Sequence, residues 1–123
     1  MAQILIVEDE AHLAEAYRII LAAHGHAVEI AADGEAALQL VAQRVPDLIL
    51  LDMKLPRVSG LEFLRRLTGG GKQAIKPAVI IFSNQENEPE IEEAYRLGAK
   101  KYILKTWASP HNLVKVVDEA LAG

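Results

Sequence analysis

Residues 48–60 of the chain read LILLDMKLPRVSG. The first four residues, Leu48–Leu51, are all apolar and predict a short strand that is buried on both faces. Asp52 ends this strand, and a loop that contains Pro56 and Gly60 follows. Strands that are apolar on both faces are typical of a parallel sheet covered by helices, so the stretch predicts an α/β domain with a carboxylate at one strand end.

Apolar runs and helical patterns alternate along the rest of the chain. The other predicted strands are Gln3–Val7, Ala27–Ala31, Ala78–Phe82 and Lys101–Leu104. Apolar residues recur at helical spacing in five segments, which are His12–His24, Glu35–Gln43, Leu61–Leu67, Pro89–Leu97 and Pro110–Ala122. Because a repeated β-α order leaves few topologies, it predicts a doubly wound five-stranded parallel sheet with a flavodoxin-like (βα)5 fold.

The helical patterns also predict which residues face inward. On the first helix these are Leu13, Ala16, Tyr17, Ile20 and Leu21, and on the last they are Leu113, Val114, Val117 and Leu121. The triplet Gly69-Gly70-Gly71 is expected to form a mobile break after the third helix.

Size and composition favour one folded domain. The 123 residues are 51% hydrophobic, so residues 1–123 are expected to form a single domain without an output module. The chain has no cysteine, which excludes disulfides and thiolate metal sites and fits a cytoplasmic protein. A formal charge of −4 without a dense basic cluster argues against direct nucleic-acid binding. No apolar run is long enough for a bilayer, so no membrane association is expected.

Polar side chains follow four of the five predicted strands. They are Glu8 and Asp9, Asp52, Ser83 and Lys105. Because the carboxyl ends of parallel strands open onto one edge of a sheet, these side chains are expected to meet there. Clustered carboxylates stay ionised only beside a cation, and oxygen ligands without softer donors favour Mg²⁺.

The same set of residues suits phosphoryl chemistry. A carboxylate can attack phosphorus and give an aspartyl phosphate, which predicts Asp52 as a phosphoacceptor. The product is a dianion on an acidic surface, so it needs a metal ion, an ammonium and a hydroxyl around its oxygens. Lys105 and Ser83 supply the last two groups.

These residues, together with the stretch from Asp52 to Gly60, resemble the receiver domain of two-component response regulators, and the resemblance covers essentially the whole chain. It implies that Asp52 accepts a phosphoryl group from a phosphohistidine on a histidine kinase or phosphotransfer protein. It also implies that Asp9, Asp52 and the carbonyl of Met53 ligate Mg²⁺ directly, while Glu8 acts through water.

A switch is implied by the same resemblance. Ser83 would move toward the phosphoryl group and Tyr102 would follow. This movement would change the surface of the fourth helix, fifth strand and fifth helix for a downstream protein target. The same surface is where a homodimer is expected, so the chain is predicted to be a stand-alone monomer or a phosphorylation-dependent homodimer.

Four positions near the site are notable beside the pattern of the family that the chain resembles. Thr106 follows Lys105, where the family usually has a proline after a cis bond. A cis bond before another residue costs about 3 kcal/mol, so the geometry of this turn is left open. Asn84 stands where the family favours a smaller residue. Lys54 and Gln85 occupy positions that flank the path of the attacking water in that family, and Lys54 is predicted to change the lifetime of the phosphoryl group.

Simpler interpretations exist for each residue. Glu8 and Asp9 could only cap the first helix, Ser83 could be a turn residue, and Lys105 could be a surface lysine. Tyr102 could be an ordinary half-buried aromatic residue of a strand.

Two other function classes are compatible with the fold. One is an interaction domain that keeps the receiver fold without phosphorylation. The other is a phosphatase with an aspartate nucleophile, similar to the haloacid dehalogenase group. That group has a second Asp two residues after the nucleophile, and here Lys54 occupies the position. The chain is therefore predicted not to be an enzyme beyond assisting its own phosphorylation and dephosphorylation.

Overall fold

Five parallel strands form one sheet in a computed structural model that describes residues 2–68 and 77–122. The strands are β1 (Gln3–Val7), β2 (Ala27–Ala31), β3 (Leu48–Asp52), β4 (Ala78–Ser83) and β5 (Lys101–Leu104). Their order in the sheet is β2-β1-β3-β4-β5. The predicted doubly wound parallel sheet is confirmed. The predicted break at Gly69-Gly70-Gly71 lies outside the described residues.

Five α-helices connect and follow the strands. They are α1 (Ala11–Ala23), α2 (Gly34–Gln43), α3 (Gly60–Thr68), α4 (Glu88–Arg96) and α5 (Pro110–Ala122). Four of them begin at a side chain that accepts an N–H of the first turn, and these caps are Asp33, Ser59, Asn87 and Ser109. Among the described helices, none combines the length and the apolar character that a membrane crossing requires.

Successive strand residues point to opposite faces of the sheet and build two cores. One core lies under α1 and α5 and includes Ile6, Leu50 and Phe82. The other lies under α2, α3 and α4 and includes Val7 and Leu51. Both faces of the central strands are therefore covered, as the apolar run at residues 48–51 predicts.

The inward faces of α1 and α5 differ in part from the prediction. Ala16 is exposed, and Val114 is half-buried outside the core. The buried rows are instead Ala14, Tyr17 and Leu21 on α1, and Leu113, Val116, Val117 and Ala120 on α5. Residues that face the same side of a helix are three or four positions apart. When a helix has many apolar residues, several such sets are possible, and residue type alone does not show which set faces the sheet.

Candidate functional site

The strand ends bring the predicted polar side chains together. Glu8, Asp52 and Ser83 are 3%, 6% and 4% exposed, and they are the only buried polar or charged residues in the described part of the chain. Lys105 lies beside them with a side chain that is 12% exposed, whereas Asp9 is exposed at the rim. The buried carboxylates and the buried serine of the described residues therefore lie at one edge of the sheet.

Lys105 bridges the two buried carboxylates. Its Nζ lies 3.0 Å from Glu8 Oε1 and 3.3 Å from Asp52 Oδ1. A buried charge is tolerated when it is paired and hydrogen-bonded. One ammonium faces two buried carboxylates, so the ion pair leaves negative charge at the site when both acids are ionised.

The shared lysine and the burial shift the acid–base equilibria. Burial raises the pKa of Glu8 to about 7, and the charge of Asp52 raises it too, while hydrogen bonds from Lys105 and the N–H of Glu10 act in the opposite direction. Burial alone would lower the pKa of Lys105, but the hydrogen bond to Glu8 and the charge of Asp52 raise it above its ordinary value. The site therefore favours a proton on Glu8 and a charged lysine.

Glu8 should make the fold less stable as the pH rises from about 4.5 to about 7. Since its pKa is higher in the folded chain, the folded state binds the proton more tightly within this window, and the unfolding free energy falls as the proton leaves. The expected decline in metal-free buffer is on the order of 3 kcal/mol. Urea unfolding at a series of pH values measures it. Glu8→Gln should flatten the curve, and parallel curves for both proteins would contradict the assignment.

Three carboxylates at this edge are placed to share a cation. Glu8, Asp9 and Asp52 each offer a carboxylate oxygen, and these atoms lie within 4.8 Å of one another. Carboxylate oxygens suit a hard dication, and the negative charge that Lys105 leaves uncompensated favours one. The donor set therefore fits Mg²⁺.

The loop after β3 folds back tightly on the strand end. The N–H of Gly60 donates to the carbonyl of Met53 at 3.0 Å, and the N–H of Lys54 donates to Asp52 Oδ1 at 3.4 Å. A Cβ at Gly60 would lie 2.6 Å from the carbonyl oxygen of Asp52 and 2.9 Å from the Cα of Met53. Only glycine fits this approach, and it holds the backbone of Asp52 and Met53 in place.

Ser83 and Tyr102 share one hydrogen-bond acceptor. The Ser83 hydroxyl donates to the carbonyl of Gln85 at 2.8 Å, and the Tyr102 hydroxyl donates to the same oxygen at 3.4 Å. Gln85 lies in the loop between β4 and α4. The two residues of the predicted switch are thus connected through this loop.

The turn after β5 adopts a trans geometry. No cis peptide bond occurs among the described residues, and Lys105–Trp107 form a single 3₁₀ turn. The N–H of Ala108 donates to the carbonyl of Lys105 at 3.1 Å and closes this turn. The lysine reaches the site from this trans turn.

Two contacts near the site were not predicted. Arg57, at a positive φ of 67°, pairs with Asp33 at 3.1 Å and ties the loop after β3 to the start of α2. Tyr95 on α4 accepts the backbone N–H of Tyr102 at 3.0 Å. The sequence pattern does not indicate that a tyrosine in the last turn of a helix will bond to the backbone of a strand. The ion pair of Arg57 could not be predicted either, because it depends on the path of the loop after β3.

The sequence and the fold match those of known proteins. Residues 4–118 match the family model described as response regulator receiver domain. The transcriptional regulatory protein DltR of Streptococcus agalactiae is 32% identical over 114 residues, which cover 93% of this chain and 50% of DltR. The response regulator MprA of Mycobacterium tuberculosis is 32% identical, with 93% and 48% covered. The chain thus spans about half the length of these curated relatives.

Solved structures agree with the family match. A CheY-like response regulator receiver domain protein from Methanospirillum hungatei has a TM-score of 0.89 and 27% identity, and the match covers 99% of this chain and 94% of that one. NtrX from Brucella abortus has a TM-score of 0.86 and 32% identity, with 98% of this chain and 27% of NtrX covered. The resemblance predicted from the strand-end residues is confirmed: the chain belongs to the response regulator receiver domain family.

Proposed function

We propose that the chain is a phosphorylation-controlled receiver in which Asp52 accepts a phosphoryl group from a phosphohistidine on a histidine kinase or phosphotransfer protein. The observation that carries this proposal is the burial pattern at the sheet edge. In the described part of the chain, Glu8, Asp52 and Ser83 are the only buried polar side chains, and all lie with Lys105 at one site. Burial of charged groups carries a desolvation cost, so fold stability alone does not explain why these side chains are buried together.

The transfer uses a carboxylate oxygen of Asp52 as the nucleophile. A bond forms between this oxygen and phosphorus, the bond from phosphorus to the donor nitrogen breaks, and the electron pair stays with that nitrogen, which can then take up a proton. Lys105, already 3.3 Å from Asp52 Oδ1, neutralises an oxygen of the phosphoryl group. Ser83 can donate to another such oxygen once its hydroxyl leaves the carbonyl of Gln85.

Mg²⁺, when bound, supplies positive charge to the phosphoryl oxygens. We assign its direct ligands to Asp9, Asp52 and the carbonyl of Met53, with Glu8 acting through water. The close approach of the carboxylates supports this set. The carbonyl of Met53 accepts one N–H from Gly60 and keeps a second lone pair for a ligand.

The response leaves the site through the surface of α4, β5 and α5. Tyr102 connects this surface to Ser83 through Gln85. A groove of about 490 Å³ opens there, with Tyr95, Tyr102 and Trp107 in its lining. We propose this surface for a downstream protein target or a second copy of the chain. The cytoplasmic location and the lack of direct nucleic-acid binding stay predictions.

Trp107 provides the test, because it is the only tryptophan and lies on this surface. Beryllofluoride with Mg²⁺ should change its fluorescence, and withholding Mg²⁺ should prevent the change. If neither beryllofluoride, acetyl phosphate nor a kinase produces a response, the chain is a receiver-like interaction domain. Steady turnover of added phosphoesters would instead indicate a phosphatase.

Lys54→Ala is expected to shorten the lifetime of the phosphoryl group about threefold, the effect of losing an exposed charge interaction. The Lys54 side chain is exposed, and its backbone N–H contacts Asp52 Oδ1. From this position the ammonium attracts the phosphoryl dianion and narrows the approach of water. Release of inorganic phosphate after removal of the donor measures the lifetime.

Arg44→Ala is the matched control for Lys54→Ala, because it removes an exposed positive charge next to the opposite end of the sheet. It should leave the lifetime unchanged. An unchanged lifetime in Lys54→Ala would remove Lys54 from the account.

A further inference from the structure

Tyr102 is held at two points by the segment that joins β4 to β5. Its hydroxyl donates to the carbonyl of Gln85 at 3.4 Å, and its backbone N–H donates to the hydroxyl of Tyr95 at 3.0 Å. Since β5 pairs only with β4 in the described sheet, it forms an edge, and an N–H directed away from β4 would otherwise face water. Tyr95 therefore provides a protein partner at an open edge of the sheet.

Gln85 and Tyr95 lie at the two ends of one stiff unit. Gln85 lies in the loop before α4, and Tyr95 lies in the last turn of that helix. Asn87 caps the helix by accepting the N–H of Glu90 at 3.2 Å, and Pro89 lies in the first turn. Because the cap joins this loop to the helix, a shift of the loop is expected to move the hydroxyl of Tyr95.

In the structure, the hydroxyl proton of Ser83 is already used in a hydrogen bond, and the proposed switch needs the same proton. The Ser83 hydroxyl has one proton, and it donates that proton to Gln85 at 2.8 Å. Donation to a phosphoryl oxygen breaks this bond and loosens the loop, which then keeps the longer bonds from the Gln85 N–H to Ser83 Oγ at 3.3 Å and from the Tyr102 hydroxyl at 3.4 Å. The contact between Tyr95 and Tyr102 is then the direct hydrogen bond that still holds the end of α4 against β5.

We propose that Tyr95 is a positioning residue whose hydroxyl holds Tyr102 and α4 in the resting arrangement and thereby opposes the switch. This inference rests on the proposed function, because it concerns the same movement of Ser83. It assigns a role to a residue that touches neither the metal ligands nor the phosphoryl group. The net contribution of one neutral hydrogen bond corresponds to about a fivefold change in an equilibrium between two arrangements.

Tyr95→Phe is the sharpest test, because it removes only the hydroxyl oxygen. NMR relaxation dispersion on the amides of Gln85 and Tyr102, without any phosphoryl donor, measures the population of the switched arrangement. This population should rise about fivefold in the variant, and the initial rate of modification by acetyl phosphate should rise in parallel. Hydrogen exchange at the Tyr102 amide should also become faster.

Thr68→Val is the matched control. It removes a single hydroxyl that bonds to the carbonyl of Leu64 at 3.1 Å, on a helix outside the switch surface. The control should change neither the population nor the rate. A general loosening of the fold would affect both variants, whereas the proposed role affects Tyr95→Phe alone.

Each outcome decides the inference. Faster exchange at Tyr102 with unchanged population and unchanged rate would show that Tyr95 only covers a strand edge, and the inference would be wrong. A lower population in Tyr95→Phe would also overturn it. If the wild-type chain accepts no phosphoryl group, the proposed function fails, but the populations in the unmodified protein still decide the role of Tyr95.

Discussion

Asp52→Asn is expected to abolish phosphorylation while the domain stays folded. An amide is not a nucleophile toward phosphorus. The other buried carboxylate of the described residues, Glu8, contacts Lys105 at 3.0 Å, but burial raises its pKa to about 7, which makes it a weaker candidate for the acceptor. Intact mass after incubation with acetyl phosphate and Mg²⁺ measures the modification. The wild-type chain should gain one phosphoryl group, and the variant should gain none.

Asp9→Asn is the matched comparison for Asp52→Asn. Asp9 is exposed and lies within the same carboxylate cluster, but it is assigned only to the metal. This variant should still be modified, at a lower rate and with a higher requirement for Mg²⁺. Equal modification of Asp52→Asn and wild type would mean that the acceptor lies elsewhere.

Gly60→Ala is expected to have the largest effect on stability. The added Cβ would overlap the backbone of Asp52 and Met53, with 2.6 Å to the nearest atom, so the loop must move away from the strand end. Such overpacking lowers the unfolding free energy by about 3 kcal/mol. Displacement of the nucleophile should also slow phosphorylation on the order of tenfold to a hundredfold. Urea unfolding and the rate of modification measure the two effects.

Gly25→Ala separates crowding from backbone strain. A Cβ at Gly25 would meet no atom within 4 Å, but the residue has a φ of +88°. It should therefore lose only about 1–2 kcal/mol, the cost of a left-handed conformation, and keep its normal rate of phosphorylation. If Gly60→Ala were as stable as wild type and normally modified, the tight approach of the loop would not support the site.

The order of strands and helices was predictable from the sequence, because apolar runs of strand length alternate with helical patterns. The run at Leu48–Leu51 marks a strand buried on both faces, and the polar residue after it marks the edge where the buried carboxylates and Lys105 meet. The predicted strand bounds agree with the observed ones to within one residue, because a change from apolar to polar residues is a local signal. The inward rows on α1 and α5 were less predictable, since both helices carry more apolar residues than the sheet covers, and Ala14 is buried where Ala16 was expected.

The sequence did not predict which side chains of the site contact one another, because these contacts depend on distances in the folded chain. The sequence placed Lys105 near Asp52, but its contact with Glu8 is the shorter one, at 3.0 Å against 3.3 Å. This contact favours the ionised carboxylate of Glu8, so it is burial and the charge of Asp52 that raise the pKa of Glu8 above that of an ordinary glutamate. Tyr95 was not identified as a partner of Tyr102, because the bond joins a helix end to the backbone of a strand edge.

Chemical trapping of the acyl phosphate tests the central claim most directly. Borohydride reduces an aspartyl phosphate to an alcohol with release of phosphate, and peptide mass spectrometry then locates the reduced residue. After incubation with acetyl phosphate and Mg²⁺, the account predicts reduction at Asp52 alone. Reduction at Glu8, Asp9 or another carboxylate, or no reduction in a chain that carries phosphate, would contradict it.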